Sequence, residues 1–175
     1  VPYVFLANGQ EIRFWDWQRE AYPHPVKTFF KQDDLERRAA TAQVKRDPLE
    51  VPIDSRIAGR DYQQACIDTL CKEMGQGRRK LLVEMATGTG KTRTAAALIK
   101  RLFEANAITR VLFLVDRIPL AKQTEDAFAE HLTDYPAYVL RAGRRFQDEK
   151  LITITTLQSM VNIYGDYSSG YFDLV

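Results

Sequence analysis

A glycine-rich segment near the middle of the chain has the residue types and spacing of a phosphate-binding loop. Residues 81–92 read Leu-Leu-Val-Glu-Met-Ala-Thr-Gly-Thr-Gly-Lys-Thr. Because Gly88 and Gly90 lack Cβ atoms, the loop can adopt positive φ angles and direct backbone N–H groups at phosphate oxygens. A helix that follows the loop would present its positive N-terminal end to the same oxygens. The segment therefore predicts a site for a nucleoside triphosphate.

The side chains of this segment supply the charge and the metal ligand that such a site needs. We expect Lys91 to pair with the β- and γ-phosphates and Thr92 to ligate the Mg²⁺ ion that bridges them. The predicted phosphate site comprises Thr87, Gly88, Thr89, Gly90, Lys91 and Thr92. Met85 stands where the general pattern has glycine, so an ordinary glycine-rich turn is the alternative. An apolar strand before the loop and an amphipathic helix after it favour nucleotide binding.

An alternation of helices and strands from residue 59 onward places this loop in an α/β domain. The patterns predict strands at 81–83, 111–115, 138–140, 151–154 and 172–175, and helices at 61–74, 92–105, 119–132 and 157–163. Apolar strands between amphipathic helices indicate a mainly parallel sheet covered by helices on both faces. Because ligands bind beyond the carboxyl ends of such strands, we expect the loops at 86–91, 116–119 and 155–156 to share one surface.

Two helix starts can be assigned from capping patterns. The helix at 61–74 has Asp61 and Gln64 as its predicted cap pair. The helix at 92–105 has a predicted apolar face formed by Ala95, Leu98, Ile99 and Leu102. A further helix is predicted from Asp33, with Asp33 as N-cap and Glu36 as its capping-box partner.

The first 46 residues are rich in aromatic residues and proline and look like a remnant of another domain. Strands at 3–7 and 10–15 flank Asn8-Gly9, a strong hairpin signal because both residues tolerate positive φ. Prolines interrupt residues 47–58, which we predict to be a linker before a domain at 59–175.

Composition sets only broad limits on function. The chain has 175 residues, of which 45% are hydrophobic, enough for one domain with a core and an appendage. The net charge of +2 neither demands nor excludes nucleic acid. Cys66 and Cys71 fall on different faces of a predicted helix and are read as small core or surface residues, with metal or disulfide roles as alternatives.

No apolar stretch reaches membrane-spanning length and no signal-peptide pattern opens the chain, so we expect a cytoplasmic protein without a membrane partner. The chain begins at Val1 without an initiator methionine and ends inside a predicted strand. We therefore expect it to be part of a longer protein.

Four motifs, taken together, resemble those of superfamily-two helicases and translocases. They are Gly-Arg-Asp-Tyr-Gln-Gln at 59–64, Met-Ala-Thr-Gly-Thr-Gly-Lys-Thr at 85–92, Val-Asp-Arg-Ile-Pro-Leu-Ala-Lys-Gln at 115–123 and Ile-Thr-Thr-Leu-Gln-Ser-Met at 154–160. The chain resembles the first RecA-like domain of these motors, and within them most resembles the motor subunit of type I restriction-modification enzymes. The Tyr-x-Phe-x-x-Asn-Gly stretch at 3–9 is similar to the end of the nuclease domain that precedes this motor.

The resemblance implies that Gln63 reads the adenine base of ATP. A side-chain amide can donate to adenine N7 and accept from N6, which would favour ATP over GTP. A capping or solvent-facing glutamine at the start of a helix is the alternative.

The same resemblance implies candidate DNA contacts at Arg117, Lys122, Thr155 and Thr156. Arg117 is the strongest candidate for a phosphate contact, and a solvated loop arginine is its alternative. For the two threonines the alternative is helix capping. The basic run at 141–145 is read as a charged surface loop.

The function implied by the resemblance is that of an ATP-dependent duplex DNA translocase and endonuclease, acting with modification and specificity subunits. Hydrolysis in this superfamily needs an acidic pair after the strand at 172–175 and an arginine from a second lobe. We therefore expect no complete catalytic site in residues 1–175 and no activity of this piece alone.

Two further readings stay open. One is another superfamily-two helicase or a type III restriction motor, and the other is a nucleotide-binding switch that does not track nucleic acid. The joint presence of the motifs at 116–123 and 155–160 favours a motor, because a switch does not need them.

Overall fold

The computed structural model describes residues 2–140 and 151–175. The predicted basic run at 141–145 lies outside the described residues. In chain order the elements are β1 (Tyr3–Ala7), β2 (Ile12–Asp16), β3 (His24–Val26), α1 (Gln32–Val44), α2 (Asp61–Gly75), α3 (Lys91–Glu104), β4 (Val111–Val115), α4 (Ile118–His131), β5 (Ala137–Val139), β6 (Ile152–Thr156) and α5 (Leu157–Ile163). Short 3-10 turns lie at Pro48–Glu50 and Tyr164–Asp166.

The predicted N-terminal hairpin is confirmed, with a longer loop than the Asn-Gly signal suggested. Strands β1, β2 and β3 form an antiparallel sheet in that order. Ala7 pairs with Ile12, which leaves residues 8–11 as the loop. Gly9 has a φ of 87°, whereas Asn8 contributes through its side chain, which accepts the N–H groups of residues 10 and 11. Asn8 therefore closes the loop as a hydrogen-bond acceptor and not through a positive φ.

Both predicted cap pairs were wrong, although both helices form. Helix α1 begins one residue earlier, and the N–H of Lys31 donates to the buried carboxylate of Asp34 at 3.1 Å. Helix α2 has Arg60 as its N-cap, and the Arg60 N–H donates to Gln63 Oε1 at 3.3 Å. In each helix the side chain that caps the first turn lies at the third helical position. Several polar residues stand at each helix start, and tertiary contacts select among them.

A parallel sheet flanked by helices confirms the predicted α/β class. The strand order is β4-β6-β5, and both pairs are parallel. Val111 pairs with Ile152, and at the other end Val115 pairs with Thr156. Since β6 runs through Thr156, the predicted loop at 155–156 is wrong, and both threonines are strand residues.

Two other predicted strands do not form as expected. Residues 81–83 lie outside any strand, and Leu82 is 96% exposed. In the described part of the chain no strand pairs with them, so their apolar character alone does not place them in the sheet. The predicted strand at 172–175 is reduced to one parallel bridge between Leu174 and Val111.

The core lies between the sheet and the helices around it. Its buried members include Ile67, Ala97, Ile99, Leu102, Val111, Phe128, Ile152 and Ile154. The predicted apolar face of α3 is only partly buried. Ile99 and Leu102 are buried, whereas Ala95 and Leu98 are partly buried. None of the helices in residues 2–140 and 151–175 is long and apolar enough to cross a membrane.

The segment predicted as a linker packs into this core. Val51, Ile57 and Ala58 are buried. The buried guanidinium of Arg101 on α3 donates to the Val51 carbonyl at 2.8 Å and to the Leu49 carbonyl at 3.2 Å. These bonds satisfy backbone groups that a segment without regular structure would otherwise leave unpaired.

A second arginine joins the N-terminal layer, which consists of β1, β2, β3 and α1, to the α/β unit. Arg37 on α1 donates to Asp173 Oδ2 at 2.8 Å and to the carbonyls of Gly170 and Tyr171 at 2.7 and 2.9 Å. Phe30 packs against Gly170 so closely that a Cβ there would lie 2.5 Å from its ring. The N-terminal layer is therefore held against the segment that leads to Leu174.

Replacing Arg101 with methionine should destabilise the fold by about 1 to 3 kcal/mol, because backbone carbonyls of the 47–58 segment lose their donor. Its ion-pair partner Asp68 is 56% exposed on its side chain, so water can solvate the carboxylate that remains. The measurement is the free energy of unfolding in urea. Arg78→Met is the matched control, since the Arg78 side chain is 66% exposed. An equal and small effect of both changes would contradict a structural role for Arg101.

Candidate nucleotide-binding site

The predicted phosphate loop has the backbone geometry that its glycines suggested. Gly88 and Gly90 have φ angles of 80° and 87°, in the left-handed region that residues with a Cβ rarely adopt. Gly90 is the N-cap of α3, so the helix begins at Lys91 directly after the loop. The positive end of α3 therefore lies at the loop, as an anion site requires.

Lys91 lies across the loop carbonyls. Its Nζ donates to the carbonyl of Met85 at 3.1 Å and to that of Ala86 at 3.0 Å. The Thr89 hydroxyl also donates to the Ala86 carbonyl, at 2.6 Å. These bonds close the loop on itself and hold the Lys91 ammonium against its carbonyl groups.

The other two side chains of the predicted phosphate site are those of Thr87 and Thr92. Thr87 is exposed on the loop, and Thr92 is partly buried in the first turn of α3. In the described residues no group of three or more His, Cys, Asp or Glu side chains is arranged to hold a metal ion. Thr92 remains the predicted Mg²⁺ ligand.

Cys66 is partly buried, Cys71 is buried, and both are free thiols.

Gln63 reaches the loop from the start of α2. Its side chain is buried, and Nε2 donates to the Thr89 carbonyl at 3.0 Å while Oε1 accepts the Arg60 N–H. A Cβ on residue 90 would lie 2.6 Å from Nε2, so only glycine permits this approach without displacement. The capping role that was the alternative for Gln63 is observed. A primary amide has two donors and two acceptor lone pairs, so one of each stays available for a base.

Sequence reasoning missed a residue next to Gln63. The Tyr62 hydroxyl donates to the same Thr89 carbonyl at 2.8 Å and accepts from Arg60 Nη1 at 2.7 Å. The only signal in the sequence was its position beside Gln63. A tyrosine in the first turn of a helix has no specific meaning without the contact across the loop.

A pocket of about 370 Å³ opens beside this contact. Its walls include Arg56, Arg60, Gln63, Gly88, Gly90 and Arg93. Arg93 on α3 donates to the Arg56 carbonyl at 2.9 Å and so closes one side of the pocket. The pocket combines a phosphate loop, an amide and three guanidinium groups, which suits an anionic ligand with a polar ring.

The charges around the pocket are arranged in part by Asp54. Arg56 and Lys100 bond to its carboxylate at 2.7 and 2.6 Å and hold its pKa well below the usual range. Asp54 therefore remains ionised and ties α3 to the segment before α2.

The predicted DNA contacts lie at the carboxyl edge of β4 and β6. Val115, the last residue of β4, pairs with Thr156, the last residue of β6, and Arg117 follows Val115 by two positions as the N-cap of α4. Arg117 is exposed and pairs with Asp116 at 3.1 Å. Lys122 contacts Glu125 and Asp126 at 3.0 and 2.9 Å, and these carboxylates raise its pKa.

The two threonines use their hydroxyl groups inside the fold. Thr155 is fully buried and donates to the Leu140 carbonyl at 3.0 Å. Thr156 is the N-cap of α5, and its hydroxyl accepts the Ser159 N–H at 3.2 Å. The capping alternative is thus observed for Thr156. The structure brings Arg117 and Thr156 to one edge, while Gln63 and Lys91 meet at the phosphate loop.

Comparison with known proteins gives this geometry a family context. The chain is 42% identical to the endonuclease subunit of the type I restriction enzyme EcoKI from Escherichia coli strain K12, across 92% of the chain and 15% of that subunit. It is also 42% identical to the EcoAI endonuclease subunit of Escherichia coli, across 72% of the chain and 17% of the subunit. An endonuclease subunit from Staphylococcus aureus strain COL is 32% identical across 59% of the chain. The chain thus spans about a sixth of the length of the relatives it matches.

Residues 56–175, well over half of the chain, match the family described as type III restriction enzyme, res subunit. This match covers the phosphate loop, Gln63 and the edge that carries Arg117. It begins in the segment before α2 and leaves the N-terminal sheet and α1 outside. The chain therefore belongs to the ResIII family.

Proposed function

We propose that this chain is the ATP-binding part of an ATP-dependent DNA translocase and endonuclease of the type I restriction class. The observation that carries the proposal is the phosphate loop joined to Gln63 beside a pocket lined with arginines. The names of its relatives favour a restriction motor over a simple nucleotide switch.

Residues 87–92 would hold the triphosphate. The backbone N–H groups of the loop and the N-terminal end of α3 would bind the phosphate oxygens, and Lys91 would exchange its two carbonyl partners for the β- and γ-phosphates. Thr92 would ligate Mg²⁺. When bound, the Mg²⁺ ion supplies charge neutralisation between the phosphates.

Gln63 would select the base. Its buried amide is fixed by Arg60 and Thr89, so the remaining donor and acceptor have a set direction. This pair complements the N7 and N6 atoms of adenine. Guanine offers a second acceptor at that edge and would leave the amide acceptor unpaired.

Arg117 is the proposed DNA-phosphate contact. It is exposed just after β4, and its ion pair with Asp116 is open to water, so exchange for a phosphate costs little. Lys122 is the weaker candidate because two carboxylates already neutralise it. For Thr155 and Thr156 the structure offers internal bonds, so only a backbone contact to DNA would leave these intact.

We further propose that residues 59–175 form the first RecA-like motor lobe, that 47–58 link it to what precedes it, and that 1–46 are the end of a nuclease domain. In the intact protein a second lobe would close on the nucleotide and step the motor along duplex DNA. Modification and specificity subunits are the proposed partners, and the cytoplasm is the proposed compartment. Residues 1–175 alone should bind nucleotide without turnover.

Replacing Lys91 with alanine in the intact protein should abolish DNA-stimulated ATP hydrolysis and weaken ATP binding about ten- to a hundredfold, because a charge-assisted bond is lost. Steady-state ATPase assays and calorimetric titration measure the two effects. Lys72→Ala is the control, since this lysine is exposed on α2. Normal hydrolysis by the Lys91 variant would refute the proposed site.

Gln63→Ala should reduce the preference for ATP over GTP, because the paired donor and acceptor for adenine are removed. Competition of ATP and GTP for one fluorescent nucleotide measures the ratio. A ratio equal to that of the wild type would remove the base-reading role and leave the phosphate site standing.

Arg117→Ala should weaken duplex binding about equally for all sequences, because phosphates carry no base information. The slope of log affinity against log salt should fall by about one unit, the release expected from one phosphate contact. Arg78→Ala, which removes an exposed arginine near the end of α2, is the control. A loss of affinity for only some DNA sequences would indicate base readout. An unchanged slope would support the alternative that Arg117 is a solvated loop residue.

A further inference from the structure

The carbonyl oxygen of Thr89 receives two donors from outside the phosphate loop. The Tyr62 hydroxyl lies 2.8 Å from it and the Gln63 amide nitrogen 3.0 Å. Both donors belong to the first turn of α2, whereas the carbonyl lies directly before the N-cap of α3. One backbone oxygen therefore joins the starts of two helices.

This contact fixes the direction of a phosphate-binding donor. The Thr89 carbonyl and the Gly90 N–H belong to one peptide unit, and a trans peptide points these two groups in opposite directions. When the carbonyl is held toward α2, the N–H is directed away from α2. In a loop that binds anions through its backbone, such preorganisation removes the cost of turning the peptide during binding.

The Tyr62 hydroxyl is well placed to hold the carbonyl firmly. It accepts from the Arg60 guanidinium at 2.7 Å while it donates to Thr89. Accepting a bond from a cation polarises the hydroxyl and strengthens the bond that it donates. The guanidinium also lies 6.0 Å from the centre of the Tyr62 ring.

We infer that Tyr62 is a positioning residue that presets the Thr89–Gly90 peptide for the triphosphate of a bound nucleotide. The inference rests on the proposed function and deepens it. Gln63 shares the contact but also faces the pocket, so it can act on the base as well. Tyr62 does not line that pocket, so we expect its effect on binding to be independent of the base.

The test compares three ligands in the intact protein: ATP, GTP and inorganic tripolyphosphate. Tyr62→Phe keeps the ring and removes only the hydroxyl. We expect it to weaken all three ligands by the same factor, about three- to tenfold, the usual worth of one net hydrogen bond. The ratio of ATP to GTP affinity should stay that of the wild type.

A second readout needs no ligand. Amide hydrogen exchange of residues 86–91 should be faster in Tyr62→Phe than in the wild type, because the loop has lost an external anchor. Tyr22→Phe is the matched control, since Tyr22 is 82% exposed and lies in the N-terminal layer. The control should change neither affinity nor exchange.

Equal weakening of the three ligands together with faster exchange supports the inference. Unchanged affinity in Tyr62→Phe, with ATP still bound by the wild type, overturns it and leaves the proposed function intact. Weakening of ATP alone also overturns it, because that result places Tyr62 on the base. A wild-type protein that binds none of the three ligands overturns the proposed function itself.

Discussion

The close approach of Gln63 to Gly90 is the constraint on which the site depends. It brings the buried amide of α2 against the turn that starts α3, and a Cβ on residue 90 would lie 2.6 Å from its Nε2 and displace it. The same glycine needs its positive φ to turn the chain into the helix. The absence of a Cβ at Gly90 thus permits both the loop geometry and the contact that links the loop to the pocket. Either requirement alone would favour glycine, and the two together leave little alternative.

Two arginines hold irregular segments where hydrogen-bonded elements are lacking. Arg101 donates to two carbonyls of the segment before α2, and the buried Val51 oxygen would otherwise lack this partner. Arg37 does the same for residues 170 and 171 and also pairs with Asp173. A guanidinium has five donors in a planar arrangement, so it can serve several oxygens at once. These contacts explain how a proline-rich segment and a glycine-containing segment pack against regular elements.

Most regular elements could be predicted from the sequence, because their signals are local. The strand at 111–115 and the helix at 157–163 have the predicted bounds, since each is a short apolar or amphipathic run between clear breakers. The cap pairs of α1 and α2 could not be predicted, because several polar residues compete at each start. The strand at 81–83 failed for a related reason. Apolar residues form a strand only when another strand pairs with them, and pairing is a property of the whole fold.

In the candidate site, too, residues in local motifs could be predicted, whereas contacts between distant residues could not. The loop glycines and Lys91 stand in a recognisable motif, so their roles could be proposed from spacing. The role of Gln63 is implied by the family resemblance. The role of Tyr62 could not be proposed in either way, because its contact spans 27 positions in the sequence and joins a side chain to a backbone oxygen. Thr155 and Thr156, which the resemblance implied as DNA contacts, use their hydroxyl groups for bonds within the fold. Their contact with DNA stays a prediction.

The hydrogen bonds of the phosphate loop explain how these parts act together. Lys91 donates to the carbonyls of Met85 and Ala86, at the start of the loop. Tyr62 and Gln63 donate to the carbonyl of Thr89, near its end. A phosphate that enters would replace only the bonds of Lys91, because the bonds to Thr89 lie outside the anion site. Binding would then cost two weak carbonyl contacts and no rearrangement of the peptide. Under the proposed function, the bonds to Thr89 would hold the start of α2 against the phosphate loop during binding.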